Sequence, residues 1–283
     1  MGAAEGWLFD AFLQFMTQPI YFVSHGSPMH AIEPGGAGGI WRQIGAELQQ
    51  HGSGLRAVLC ITAHWETAAP TLSAAAHPPM IYDFGGFPEA LYRIVYPAPG
   101  DASLAEQASA LIEAAGLPSR IDPVRGFDHG TWVPLRAMFP NADVPIVQLS
   151  VQTHLGAAHH VAVGRALQPL RDAGVAIIAS GHMTHNLRDW FGARSASPYS
   201  RAAMHGDCAE AFQSWVHEKL MANDIDALVD YRRVAPHAVR AHPTEEHFMP
   251  LFVALGASAQ SAQRERLYAG LDGPLAMDAY RFG

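Results

Sequence analysis

Val175–Ser180 reads Val-Ala-Ile-Ile-Ala-Ser, and the chain continues Gly181-His182-Met183-Thr184-His185-Asn186. A short uncharged run rich in β-branched side chains predicts a strand covered on both faces. Open α/β sheets bind ligands beyond the carboxyl ends of their strands, so the two histidines stand where a site would form. The same arrangement occurs twice upstream. Pro19–Ser24 (PIYFVS) runs directly into His25, and Leu55–Ala63 (LRAVLCITA) runs directly into His64. One histidine after a strand is ordinary loop chemistry; three strands ending in this way point to a shared centre.

Further strands are expected at Thr71–Ala76, Val144–Ser150 and Leu275–Arg281. Helical periodicity predicts helices over Ile40–Gln50, Leu104–Ala115, His159–Ala173, Arg201–Met221 and Glu245–Leu255. Ser103 and Glu106 have capping-box spacing, Gly116 stands at the end of that helix, and Thr244 and Gly256 bracket the last one. Alternation of this kind gives an α/β fold: a single domain with a central mixed, mainly parallel sheet flanked by helices. Residues 1–18 form an N-terminal amphipathic extension and 19–283 the domain. The apolar positions 8, 9, 12, 13 and 16 recur at helical spacing, which predicts a helix expected to pack on the body or to cover a neighbouring copy in a homo-oligomer.

Composition narrows the function. Of 283 residues 49% are hydrophobic and 16% charged, which excludes a disordered chain. The net charge of −8, with Lys219 the single lysine, argues against a nucleic-acid partner. Cys60 and Cys208 cannot build a disulfide framework or a cysteine-rich zinc site. No basic n-region precedes the apolar start and no membrane-length span follows, so a cytoplasmic protein without membrane contact is expected. The glycine tract at 35–39 lacks both the P-loop and the dinucleotide signature. Ser27 follows His25, but without a G-x-S-x-G elbow serine chemistry is the weaker option, and the lack of an H-E-x-x-H motif sets aside zincins.

With 16 histidines, any metal here must rest on imidazole. His247 lies in HPTEEHF beside Glu245 and Glu246, and His129 lies in GFDHG. The remaining histidines, among them His30, His51, His159, His160 and His242, read as surface or satisfied-core residues. Neutral imidazole suits Zn, Fe, Cu and Ni, and two to four such ligands with open positions make a catalytic centre. Either glutamate could complete a two-histidine, one-carboxylate face, or His247 could replace it.

FVSHGSP, AHWE, YDFGGFPEALY with YPAPG, GFDHGTW, VPIVQLS, ASGHMTHNLR and HPTEEHF occur in the order seen in class III extradiol ring-cleavage dioxygenases. From Pro19 to the C-terminus the chain resembles the LigB-like, 4,5-DOPA dioxygenase-like proteins. Strings such as YDFGGFPEALY carry no generic folding signal, so the resemblance is specific. It implies oxidative cleavage of a catecholic ring by O₂, with DOPA, protocatechuate-like acids and alkyl catechols all open as substrates. It also implies a metal at His25, His64 and His247, with His185 at or beside it and His129 in the pocket. Fe(II) is implied for activity, and Zn(II) can occupy the same site. The implied catalytic groups are His185, moving a proton, and His129, holding substrate oxygens or bound dioxygen. Glu246 stands where more distant members place a carboxylate, and His182 has no implied role. The rival readings are a non-catalytic metal-binding protein on the same scaffold and a zinc hydrolase.

Overall fold

The computed structural model describes residues 17–50, 54–195, 198–259 and 261–283, without the side chains of 193–207. Eight strands form one sheet: β1 (Ile20–Ser24), β2 (Ala57–Glu66), β3 (Thr71–Ser73), β4 (Arg120–Asp122), β5 (Ile146–Val151), β6 (Val175–Gly181), β7 (Arg264–Asp272) and β8 (Leu275–Phe282). Their order across the sheet is β4-β3-β5-β2-β6-β1-β8-β7. The central four, β5, β2, β6 and β1, are parallel. β3 joins β5, and β8 joins β1, in the antiparallel sense.

The uninterrupted apolar character of the central strands follows from burial on both sides. Ile20, Phe22, Leu59 and Ile177 pack under helices Gly156–Leu167 and Met249–Ala257. The alternate residues Tyr21, Val23, Val58 and Ile178 face helices Gly35–Gln50 and His129–Met138. Because successive side chains point to opposite faces, such a strand can carry no polar stripe. Every residue of Met249–Ala257 is buried, so that helix is apolar all round.

That helix lies against Gly156–Leu167, backbone to backbone. A Cβ on Gly164 would come within 2.1 Å of the Val253 carbonyl oxygen, and one on Gly256 within 2.0 Å of that of Val161. Gly164→Ala gains about 1 kcal/mol of helix propensity. It meets backbone that cannot yield, and overpacking of this kind costs about 1–3 kcal/mol. Gly164→Ala is therefore expected to lower stability by up to about 2 kcal/mol on balance, which denaturant titration would measure.

Several boundaries differ from expectation. Asp101, not Ser103, caps the Ala102–Ala114 helix by accepting the Leu104 amide at 2.9 Å. Gly116 does adopt the left-handed conformation after that helix, at φ 79°. The helix expected over His159–Ala173 gives way to a 3₁₀ turn at Gln168–Leu170, where Pro169 removes an amide donor. The last helix starts at Met249 rather than Glu245, with Pro250 in its first turn and Phe248, not Thr244, at its cap, so His247 sits in the turn before it. β2 runs on to Glu66, so His64 lies within the strand. β4 and β7 were not expected; both are short of buried apolar residues because they lie at the sheet's edges. The apolar positions of the N-terminal extension fall among residues 1–16, outside the described residues. Among the described residues, no helix is long and apolar enough to cross a membrane.

Candidate active site

β2, β6 and β1 are neighbours in the sheet, so their carboxyl ends gather His64, Ser180 with His182, and His25 at one edge. The His25 amide donates to Gly181 O at 3.0 Å. β2 breaks register between Ile61 and Glu66, and irregularities of this kind re-aim side chains beside sites. The turn carrying His247 is tied in by its carbonyl, which accepts the His182 amide at 2.8 Å. Gly181 makes that approach possible, since a Cβ there would lie 2.3 Å from the same oxygen.

Three imidazoles converge. His64 Nε2 lies 3.0 Å from His25 Nε2 and 3.2 Å from His247 Nε2. The far side of each ring fixes its tautomer. Ser180 Oγ commits its proton to the Gly130 carbonyl, so His25 Nδ1, 3.1 Å away, must be the donor to it. His64 Nδ1 donates to Asp83 Oδ2 at 3.2 Å, and His247 Nδ1 donates to Glu246 Oε1 at 2.9 Å. With every Nδ1 protonated, three Nε2 lone pairs face one another with no proton to share. Such a donor set suits a cation, and each imidazole already has the kind of outer partner that orients a metal-bound histidine. Burial, and then the neighbouring imidazoles, hold His25 and His247 well below the usual histidine pKa. They therefore stay in the neutral form that a metal would require.

Asp83 links this centre to His129. Its Oδ1 accepts both the His129 amide, at 3.0 Å, and His129 Nδ1, at 2.9 Å. Burial alone would raise the Asp83 carboxyl, but the hydrogen bonds from His129 and His64 outweigh it and hold it far below the ordinary carboxylate range. His129 opens the His129–Met138 helix, capped by the fully buried Asp128. That carboxylate accepts from the Thr131 amide and the Thr62 hydroxyl and pairs with Arg125. Burial and the nearby His64 lower the His129 pKa, and Asp83 offsets this only in part.

His185 lies outside the converging trio. Its ring stacks on that of His247, with centroids 3.4 Å apart and planes 15° apart, and it borders a cavity of about 270 Å³. His129, His182, Phe84 and Trp190 also line that cavity. Burial, then His182 and the other imidazoles, push His185 well below 6.5. Burial pushes His182 down to about 3. Sequence reasoning missed Asp83 and Ser180. Asp83 sits inside the YDFGGFPEALY string, but nothing in its spacing points to His64 or His129. Among the histidines set aside, His160 is a satisfied core residue: Nε2 accepts the Gln152 amide and Nδ1 donates to Gly156 O.

The family model for the catalytic LigB subunit of aromatic ring-opening dioxygenases matches residues 19–276. The chain belongs to the LigB family. Relatives of this LigB-family chain include the 4,5-DOPA dioxygenase extradiol of Beta vulgaris, 39% identical over 264 residues, which span 93% of this chain and 95% of that protein. The 4,5-DOPA dioxygenase extradiol of Escherichia coli is 37% identical over 254 residues, covering 88% of each chain. The crystal structure of an uncharacterized protein from Escherichia coli K12 superimposes with a TM-score of 0.76 at 32% identity, over 94% of this chain and 100% of its own. The chain is thus an extradiol ring-opening dioxygenase with the family's α/β fold.

Within this LigB-family site, Glu246 and His247 do not compete as neighbours in sequence would suggest. His247 turns inward and Glu246 holds it from behind. Glu246→Gln is expected to weaken metal retention by about 10–100-fold, the usual cost of losing an outer partner. His247→Ala should cost more. Competition with a calibrated chelator would rank the two; the opposite order would make Glu246 the ligand. Arg125 braces the site from outside the cavity, donating to the His64 carbonyl and Asp128 and lying 5.0 Å over the Trp65 ring.

Proposed function

We propose that this protein cleaves a catecholic ring beside its hydroxyls, using O₂ and a metal held by His25, His64 and His247. The convergence of three Nε2 lone pairs, each backed by its own acceptor, carries the reading. Fe(II) at these nitrogens would supply the oxygen chemistry, which belongs to the metal rather than the protein.

The chain's residues do the rest. A cavity of about 270 Å³ takes one substituted ring, and Phe84 and Trp190 give it apolar walls. His185 is kept neutral by burial and makes no side-chain hydrogen bond among the described residues, so it is free to accept a catechol proton and later return it. His129 spends Nδ1 on Asp83, which leaves Nε2 as an acceptor for a substrate hydroxyl. Fixing the ring between these groups turns an encounter of two reactants into a step within one complex.

Zn(II) satisfies the same nitrogens but is redox-inert, so the metal found on purification does not decide the activity. The test is to load metal-free protein with Fe(II) under anaerobic conditions, then add catechols and O₂. Oxygen uptake matched by a yellow ring-fission product is expected. No turnover across a broad catechol panel would favour a non-catalytic metal protein or a zinc hydrolase on this scaffold.

A further inference from the structure

Behind the cavity, the segment after β6 is stitched to the chain that leads into His247. The His182 amide donates to His247 O and the His185 amide to Ala241 O, each at 2.8 Å. Asn186 Nδ2 donates to Arg240 O at 2.8 Å. Arg240 and Ala241 end the short helix Ala238–Ala241, and the last carbonyls of a helix have no partner within it. A fourth bond runs the other way. His242 Nε2 donates to Met183 O at 2.9 Å, while the Met183 amide donates to Ser24 Oγ at 3.1 Å. Met183 lies between His182 and His185, both of which line the cavity, so its two peptide groups set where those histidines stand. This matters most for His185. Its ring makes no side-chain hydrogen bond among the described residues, so its aim depends on its backbone and on the stack against His247.

Packing alone does not account for an imidazole at position 242. The side chain is fully buried, with the rings of Phe248 and Phe212 at 4.8 and 5.5 Å between centroids. Burial pushes its pKa down to about 4, so the ring is neutral. A neutral ring that donates through Nε2 has a bare Nδ1, and that atom is buried with no hydrogen-bond partner among the described residues. Leaving a buried polar atom unmet is costly, and an apolar ring among the two phenylalanines would avoid the cost. What the imidazole adds is the bond to Met183. Resting on the reading of His185 as proton carrier, we propose that His242 is a positioning residue for His185, acting through the Met183 carbonyl. The clamp it completes joins the segment of His185 to that of His247, so the proton carrier keeps its place beside the ligand. His242 itself lies behind both and touches no substrate.

Two substitutions test this. His242→Phe keeps the aromatic packing and removes the donor, whereas His242→Gln keeps a donor of similar reach. In the Fe(II)-loaded protein, His242→Phe is expected to lower kcat per bound iron by about 10–100-fold, the cost of misplacing a reacting group by a fraction of an ångström to one ångström. Metal content and KM should stay within about threefold of the parent, and His242→Gln should recover kcat to within about fivefold. In a His185→Gln background, His242→Phe should cost less than about twofold more, because the group it positions is already gone. Amide hydrogen exchange on the Zn(II)-loaded protein gives a reading without turnover. The His185 amide should exchange about fivefold faster in His242→Phe, the value of one hydrogen bond, while the β6 amides keep the parent rate. If His242→Phe does not fold, His242→Met removes the donor at similar volume and takes its place. Parent-like kcat without the donor, equal losses with phenylalanine and glutamine, or a full further loss in the His185→Gln background overturns the inference. If the parent cleaves no catechol, or His185→Gln keeps its turnover, the reading beneath the proposal fails, while the exchange rates still judge whether His242 holds the segment.

Discussion

Replacing His64 with alanine is expected to strip the protein of its metal and abolish turnover, the largest effect of any single substitution here. His64 is the hub of the trio, because its Nε2 approaches both His25 and His247 while its Nδ1 holds Asp83. In the proposed ligand set, losing it would leave two nitrogens at an open centre and free a carboxylate that also positions His129. Loss of an outer partner alone costs about 10–100-fold in affinity or activity, so loss of this ligand should exceed that. Elemental analysis after dialysis would show residual metal near background. His159→Ala, away from the site and hydrogen-bonded to Gln152, should keep its metal and serve as the control. Thermal unfolding with and without added metal provides an independent reading. The parent gains stability from a ligand that binds only the folded state, and His64→Ala should lose most of that gain. Full occupancy in His64→Ala would remove His64 from the ligand set.

His185→Gln separates ligand from proton carrier. Three nitrogens converge without it, so the substituted protein should retain metal. Turnover per bound iron should nevertheless fall by about 10²–10⁴-fold, the usual contribution of a positioned proton-transfer group. The loss should lie in kcat more than in KM, because the proton moves in the transition state rather than during binding. The stack on His247 makes a structural role the rival explanation. In that case thermal stability would fall while normalised turnover stayed within a few-fold of the parent, and His129 would become the candidate acid–base group. Measuring kcat against iron content, beside thermal unfolding, distinguishes these outcomes.

The fold was legible because its central strands are buried on both faces, and burial on both faces leaves an unbroken apolar run in the sequence. Val175–Ser180 matches β6 to within one residue for this reason. The edge strands β4 and β7 have no such run, since no residue of either is fully buried. The helix starts were misplaced where a better acceptor or a proline lay nearby, as at Asp101 and Pro250. Local pattern shows that a helix exists, but which atom reaches its first amides depends on backbone direction.

For the site, the sequence by itself determined that imidazole would carry any metal and that His25, His64 and His182 to His185 would meet at one sheet edge. Strand ends in an α/β sheet are places that local sequence specifies. Only the tertiary structure chose among the histidines gathered there. It turned His247 inward and Glu246 behind it, stacked His185 beside the centre, and brought Asp83 and Ser180 to the outer nitrogens of His64 and His25. Those choices rest on contacts between residues as far apart as 183 positions in the chain, the separation of His64 and His247. Ring orientation and tautomer are set by whichever acceptor lies within about 3 Å, a distance that packing decides and sequence spacing does not encode.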